Sequence, residues 1–148
     1  STTLFRSVLS PAIVEQDIRK GYRLIDLISN EEKILSTTDE NKDLLRVGSY
    51  FFYPNTIEKG RSWLNLNYIQ NSDFVVIDEI GPWELKQQGW ATCLNEIVRF
   101  YDKPVILVVR SSILERVVDY WGFSNPIIID IENKTDISEI IKFLKNIT

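Results

Sequence analysis

The sequence predicts an α/β protein: a mainly parallel sheet flanked by helices, with an antiparallel meander of short strands at its N-terminal end. Helical and strand patterns alternate after Pro54, which implies right-handed βαβ units. Before Pro54, short runs of β-forming residues are separated by turn signals. A third observation places the chemistry. Phe74-Val75-Val76-Ile77 runs directly into Asp78-Glu79, and Ile80-Gly81-Pro82 follows. The run has the length and β-branched content of a strand covered on both faces. Ligands of open α/β sheets gather at the carboxyl ends of such strands, so Asp78 and Glu79 are expected at the ligand edge.

The elements follow in order. The meander comprises residues 4–9 before Ser10-Pro11, residues 22–28 before Ser29-Asn30, residues 34–36, and residues 47–53. A helix is predicted over 55–70, where Asn55 and Glu58 have capping-box spacing and Gly60 lowers the propensity. The acidic strand, 74–80, comes next. Trp90, Leu94, Ile97, Val98 and Tyr101 share one face of a helix over 89–101, and a strand over 105–109 follows. Ser112 and Glu115 make a second capping pair ahead of Leu114, Val117, Val118 and Trp121. Pro126 opens a further apolar strand over 127–131. Asp136 and Glu139 then cap a C-terminal helix striped by Ile137, Ile140, Ile141, Leu144 and Ile147. No repeat, low-complexity segment or long linker divides residues 1–148, which read as a single domain.

Composition excludes several chemistries. With no histidine and one cysteine, Cys93, the chain has neither a Ser-His or Cys-His nucleophile nor an internal disulfide. The formal net charge is −4 and the basic residues are scattered, which argues against nucleic acid as a partner. No apolar run approaches the roughly 18 to 20 residues that span a bilayer, and no secretory pattern opens the chain, so the cytoplasm is the expected location. Methionine is absent even at position 1, so the chain reads as a processed product, a tagged fragment or part of a longer polypeptide.

With strand, acidic pair and turn in place, residues 75–82 with Glu84-Leu85 resemble the signature of the small nucleoside-triphosphatase family of P-loop proteins. Upstream, Leu9-Ser10-Pro11-Ala12-Ile13-Val14, residues 21–27 and Arg46-Val47-Gly48 are similar to family segments in order and spacing. Lys103-Pro104-Val105 fits downstream, so the resemblance covers about residues 7–110. It implies a three-layer, RecA-like fold that hydrolyses the terminal phosphate of ATP or GTP with Mg²⁺. Asp78 would then be the Walker-B carboxylate for the metal, and Glu79 the acid that polarises the attacking water. Trp83 stands where the family usually has methionine and is placed to touch a ligand. Arg110, after the next strand, is a cation placed to meet a phosphate. The Gly-rich loop G-x-x-x-x-G-K-[ST] that grips phosphates does not occur; Ser1-Thr2-Thr3-Leu4 resembles only its tail. The domain is therefore expected to lack its P-loop strand and helix, which would leave neighbouring strand edges unpaired or force them together. Two further readings stay open: a degenerate, non-catalytic member acting as a binding or assembly module, and a metal-dependent nuclease using the same acids.

Simpler roles are expected for the remaining conspicuous residues. Trp90 and Trp121 belong to core-facing helix stripes, and Cys93 reads as a small buried apolar side chain. Asp39, Glu40 and Asp43 form a solvated loop. Glu84 is either a loop acid at a helix start or a substrate-side group.

Overall fold

The computed structural model describes residues 5–133 together with 138, 139, 142, 145 and 146. Eight strands form one sheet: β1 (Phe5–Leu9), β2 (Ala12–Glu15), β3 (Ile18–Asp26), β4 (Glu31–Thr37), β5 (Leu45–Val47), β6 (Tyr50–Phe52), β7 (Phe74–Ile80) and β8 (Val105–Val109). Their order is β5-β6-β4-β3-β1-β7-β8, with β2 beside β3. The expected α/β class with an antiparallel meander is what the chain adopts. β1 pairs parallel with β7, and β7 with β8, while the meander contributes the antiparallel pairs. β1 thus joins the two halves: it is antiparallel to β3 on one side and parallel to β7 on the other. Phe5 stacks on Phe74 across that seam, with ring centroids 5.4 Å apart.

The helices are α1 (Pro54–Trp63), α2 (Leu66–Ile69), α3 (Pro82–Leu85), α4 (Ala91–Phe100) and α5 (Leu114–Trp121). The single helix expected over 55–70 is two. Pro54 occupies the first turn of α1, so Asn55 and Glu58 lie inside the helix rather than capping it. The break falls at Asn65, whose side chain accepts from the Asn67 amide at 3.0 Å and starts α2. α1 packs on β1, β3 and β4, and α2 bridges α1 and α4. One core joins these layers, built around Val8, Leu24, Ile57, Leu64, Ile69, Val75, Ile77, Leu94 and Ile97.

Gly60 is where α1 must come close. A Cβ there would lie 2.5 Å from the Trp90 ring and 2.8 Å from Leu24 Cδ2. The residue that weakens the helix in sequence is therefore required by packing. Gly60→Ala gains at most about 1 kcal/mol of helix propensity and incurs about 1–3 kcal/mol of overpacking against a buried ring. Chemical denaturation is expected to show net destabilisation, whereas an unchanged midpoint would mean that the ring yields freely.

Residues 127–131 do not form a strand. Ile127 and Ile131 are 73% and 79% exposed, and the segment pairs with no strand edge among the described residues. An apolar, β-branched run becomes a strand only where an edge can take its amides and carbonyls. Most of the expected C-terminal helix, including its Ile137, Ile140, Ile141, Leu144 and Ile147 stripe, lies outside the described residues, as does Ser1-Thr2-Thr3-Leu4. Among the described residues, no helix is long and apolar enough to cross a membrane.

Candidate active site

The acidic pair sits at the carboxyl end of β7, where the ladder to β8 is interrupted. Asp78 is in register with Val108, but Ile80 is opposite Val109, so Glu79 occupies the irregularity. Such an interruption re-aims a side chain away from the regular alternation. The Asp78–Glu79 peptide bond is cis. The two carboxylates have different surroundings.

Asp78 is fastened to the end of β1. The Ser10 amide donates to Asp78 Oδ2 at 3.2 Å, and the Ser10 hydroxyl donates to the Asp78 carbonyl at 2.8 Å. Glu79 instead meets Arg110, its Oε1 lying 3.2 Å from Nη2. That pair is half open to solvent, with side chains 36% and 56% exposed, so it holds Glu79 by no more than about 1 kcal/mol. Arg110 follows β8 directly and precedes a short 3₁₀ turn, Ser111–Ile113. The expected capping by Ser112 does not occur, since no side chain caps the start of α5.

Glu79, Trp83 and Arg110 line one cleft of about 370 Å³. Asp78 stands behind them through its bonds to Ser10, which is itself on the cleft wall. Tyr22, Tyr50, Phe52 and Trp90 complete much of the apolar lining, and the loop at Val47, Gly48 and Ser49 closes one side. Trp83 packs against Phe52, with centroids 4.9 Å apart, and its indole N–H donates to Gln88 Oε1.

Sequence reasoning undervalued Glu84. It is 4% exposed, and its carboxylate accepts from the Gly81 amide at 2.8 Å and from the Trp90 amide at 3.2 Å. These bonds tie both sides of α3 together, so Pro82 and Trp83 are held in a fixed turn beside Glu79. Burial pushes the Glu84 carboxyl above the ordinary glutamate range, although the two amide bonds pull the other way. Gly89 makes room for it. A Cβ there would lie 2.2 Å from Glu84 Oε1, and the glycine has a positive φ of 60°. The Gly81-to-Glu84 spacing and the later glycine were the signals available in the sequence.

Trp90 is 5% exposed, as expected of a core residue, while Trp121 is half-buried with its N–H donating to Asn95 Oδ1 at 2.9 Å. Burial raises the Cys93 thiol, which makes it a poor nucleophile. Asp39, Glu40 and Asp43 are exposed.

A strand ending in Asp-Glu, fastened to Ser10 and facing a cleft, is the local signature already noted in residues 75–85. The NTPase family model matches residues 5–142. The chain belongs to the NTPase family. Among its relatives are proteins named nucleoside-triphosphatase THEP1. That of Methanocaldococcus jannaschii is 25% identical over 101 residues, covering 68% of this chain and 58% of the relative. That of Methanosarcina acetivorans is 33% identical over 97 residues, covering 64% and 51%. That of Caldivirga maquilingensis is 25% identical over 134 residues, covering 90% and 73%. The NTPase-family chain thus spans little more than half the length of the first two. No solved structure matches it.

The donor chemistry suits a small hard cation. Mg²⁺ typically takes one or two carboxylates and leaves its other positions to water and substrate phosphates, rather than using an all-protein cage. Asp78, held by Ser10, supplies one such carboxylate, and among the described residues no group of three or more histidine, cysteine, aspartate or glutamate side chains forms a cage.

Proposed function

We propose that this chain carries the metal- and water-handling part of a nucleoside triphosphatase that cleaves the terminal phosphate of ATP or GTP. The observation that supports it best is the divided environment of the acidic pair. Asp78 is held by Ser10, and Glu79 faces the cleft beside a cation. A pinned carboxylate suits metal binding, and a carboxylate in a weak, solvent-facing ion pair is available to take a proton.

In this reading Asp78 holds Mg²⁺. When bound, the ion offsets the charge that gathers on the phosphate oxygens. Glu79 orients a water molecule and accepts its proton as the water oxygen bonds to the terminal phosphorus. The bond from that phosphorus to the bridging oxygen breaks, leaving a nucleoside diphosphate and inorganic phosphate. Arg110, released from Glu79 at small cost, meets a phosphate oxygen. Trp83 walls the ligand on the α3 side. A cytoplasmic setting suits a chain whose one cysteine has no disulfide partner.

The test uses the complete native protein with ATP and GTP. Asp78→Asn keeps the size of the side chain but removes the charge that holds the cation. The Mg²⁺ concentration giving half-maximal turnover is expected to rise about tenfold or more, as befits loss of a ligand to the ion. An unchanged Mg²⁺ dependence would remove Asp78 from the metal site.

A further inference from the structure

The turn that ends α3 breaks a local rule. After the cap residue Lys86, the Gln87 amide donates to the Glu84 carbonyl at 2.9 Å and the Gln88 amide to the Trp83 carbonyl at 3.2 Å. These are the paired bonds of a Schellman close, in which the residue after the cap turns left-handed and is usually glycine. Here it is Gln87, with a φ of 60°. A side chain is unfavourable in that conformation, and glutamine lacks the short polar group with which Asn or Asp bonds its own backbone. Two residues on, the same φ of 60° is met by a glycine, Gly89. One turn therefore holds a glycine where Glu84 needs room and a strained glutamine beside it.

The interactions of that glutamine lie outside the turn. Its Nε2 donates to the Tyr120 hydroxyl on α5 at 2.7 Å, and its Oε1 accepts from Asn95 Nδ2 on α4 at 2.7 Å. Asn95 is fixed in turn by the Trp121 indole N–H. One exposed side chain thus joins the end of α3 to two longer helices. The cleft is on the other side of the same turn. Trp83 lines it, and the Trp83 indole N–H donates to Gln88, the neighbour of Gln87. Glu84 sets the internal shape of the turn, whereas Gln87 sets its position against α5 and the body of α4. Strain of this kind persists only where the surroundings over-determine it, and it gathers at ligand clamps and active sites.

We propose that Gln87 is a positioning residue, tethering the α3 turn to α4 and α5 so that Trp83 keeps its place in the cleft wall. The role rests on the nucleotide reading above for what Trp83 touches. Its consequence is that stability and ligand binding separate at this position. Glycine at 87 relieves the strained backbone and cuts the tether in one step.

In the complete native protein, Gln87→Gly is expected to raise KM for the triphosphate about three- to tenfold, the weight of one or two net hydrogen bonds. The turnover number should stay unchanged, because the wall contributes binding and not chemistry. The melting temperature should hold or rise. Tyr120→Phe removes one tether bond from α5 without touching the turn, so it should raise KM in the same direction and add little to Gln87→Gly. Tryptophan indole resonances of the 148-residue chain read the tether without nucleotide. The Trp83 resonance, assigned by its loss in Trp83→Phe, should shift or broaden in Gln87→Gly while those of buried Trp63 and Trp90 stay in place. An unmoved Trp83 resonance, a parental KM, or a melting temperature that falls in step with binding would overturn the proposal. Failure of the parent to cleave triphosphate would instead sink the nucleotide reading, and the indole resonances would still decide the tether.

Discussion

Replacing Glu79 by Gln is expected to lower triphosphate turnover by the complete protein by about 10²–10⁴-fold, the range lost with a general base. Gln has the same length and can still accept from Arg110, so the cleft wall keeps its shape. It cannot take the proton of an attacking water. Nucleotide affinity should therefore hold while turnover falls, a split that a structural role would not produce. Because the Glu79–Arg110 pair is half exposed, its loss costs little stability, and the melting temperature should move little. A variant that turns over at the parental rate would strike Glu79 from the mechanism.

Glu84→Ala is expected to have the largest effect on stability. The carboxylate answers two buried amides, at Gly81 and Trp90. Each buried donor left without a partner costs about 1–3 kcal/mol, so together they cost about 2–6 kcal/mol, a large share of the roughly 5–15 kcal/mol of a typical domain. Glu84→Gln should fall between, because its single carbonyl can serve one amide while its NH₂ faces the other. The pH dependence has a definite sign. Burial raises the folded-state carboxyl above its unfolded value, so the folded chain holds that proton more tightly. This contribution to stability is fully present below the unfolded pKa and is lost as pH rises through the raised folded value. The stability advantage of the parent over Glu84→Gln should therefore shrink from acid toward neutral pH, as read from denaturation midpoints across that window. An advantage that grows with pH would reverse the assignment of burial as the dominant cause.

How much of this was legible in the sequence depends on how local the cause is. β7 could be read outright, because four apolar residues running into Asp78-Glu79 specify both a buried strand and its polar end. α4 was legible from the spacing of Leu94 and Ile97. Residues 127–131 carry the same apolar, β-branched signal and form no strand, because pairing depends on a neighbouring edge that composition does not record. Gly60 was misleading for a related reason: its cost to helix propensity is local, but its use, admitting Trp90, comes from a residue 30 positions away. Of the cleft lining, Glu79, Trp83 and Arg110 could be named from a motif and its flanks. The contributions of Tyr22, Tyr50 and Phe52 could not, since the register of β3, β4 and β6 decides which of their side chains reach the cleft. Ser10 was visible only as part of a family-like segment, with no sign that it would bond Asp78 across 68 positions. Glu84 resembled many acids after a turn until its burial and the clearance at Gly89 were seen.

The cleft draws its walls from both sides of Pro54: Ser10, Tyr22, Tyr50 and Phe52 from the first part, Glu79, Trp83 and Arg110 from the second. No stretch of unfolded chain presents these groups together. A molecule that fills the cleft therefore binds only the assembled state, and mass action transfers its binding free energy to the whole fold, about 2.7 kcal/mol at a hundred times its Kd. Occupancy and global stability are in this way a single thermodynamic variable. The meander and the acidic strand, though drawn from different parts of the chain, would melt together, and at a higher temperature, whenever the cleft is filled.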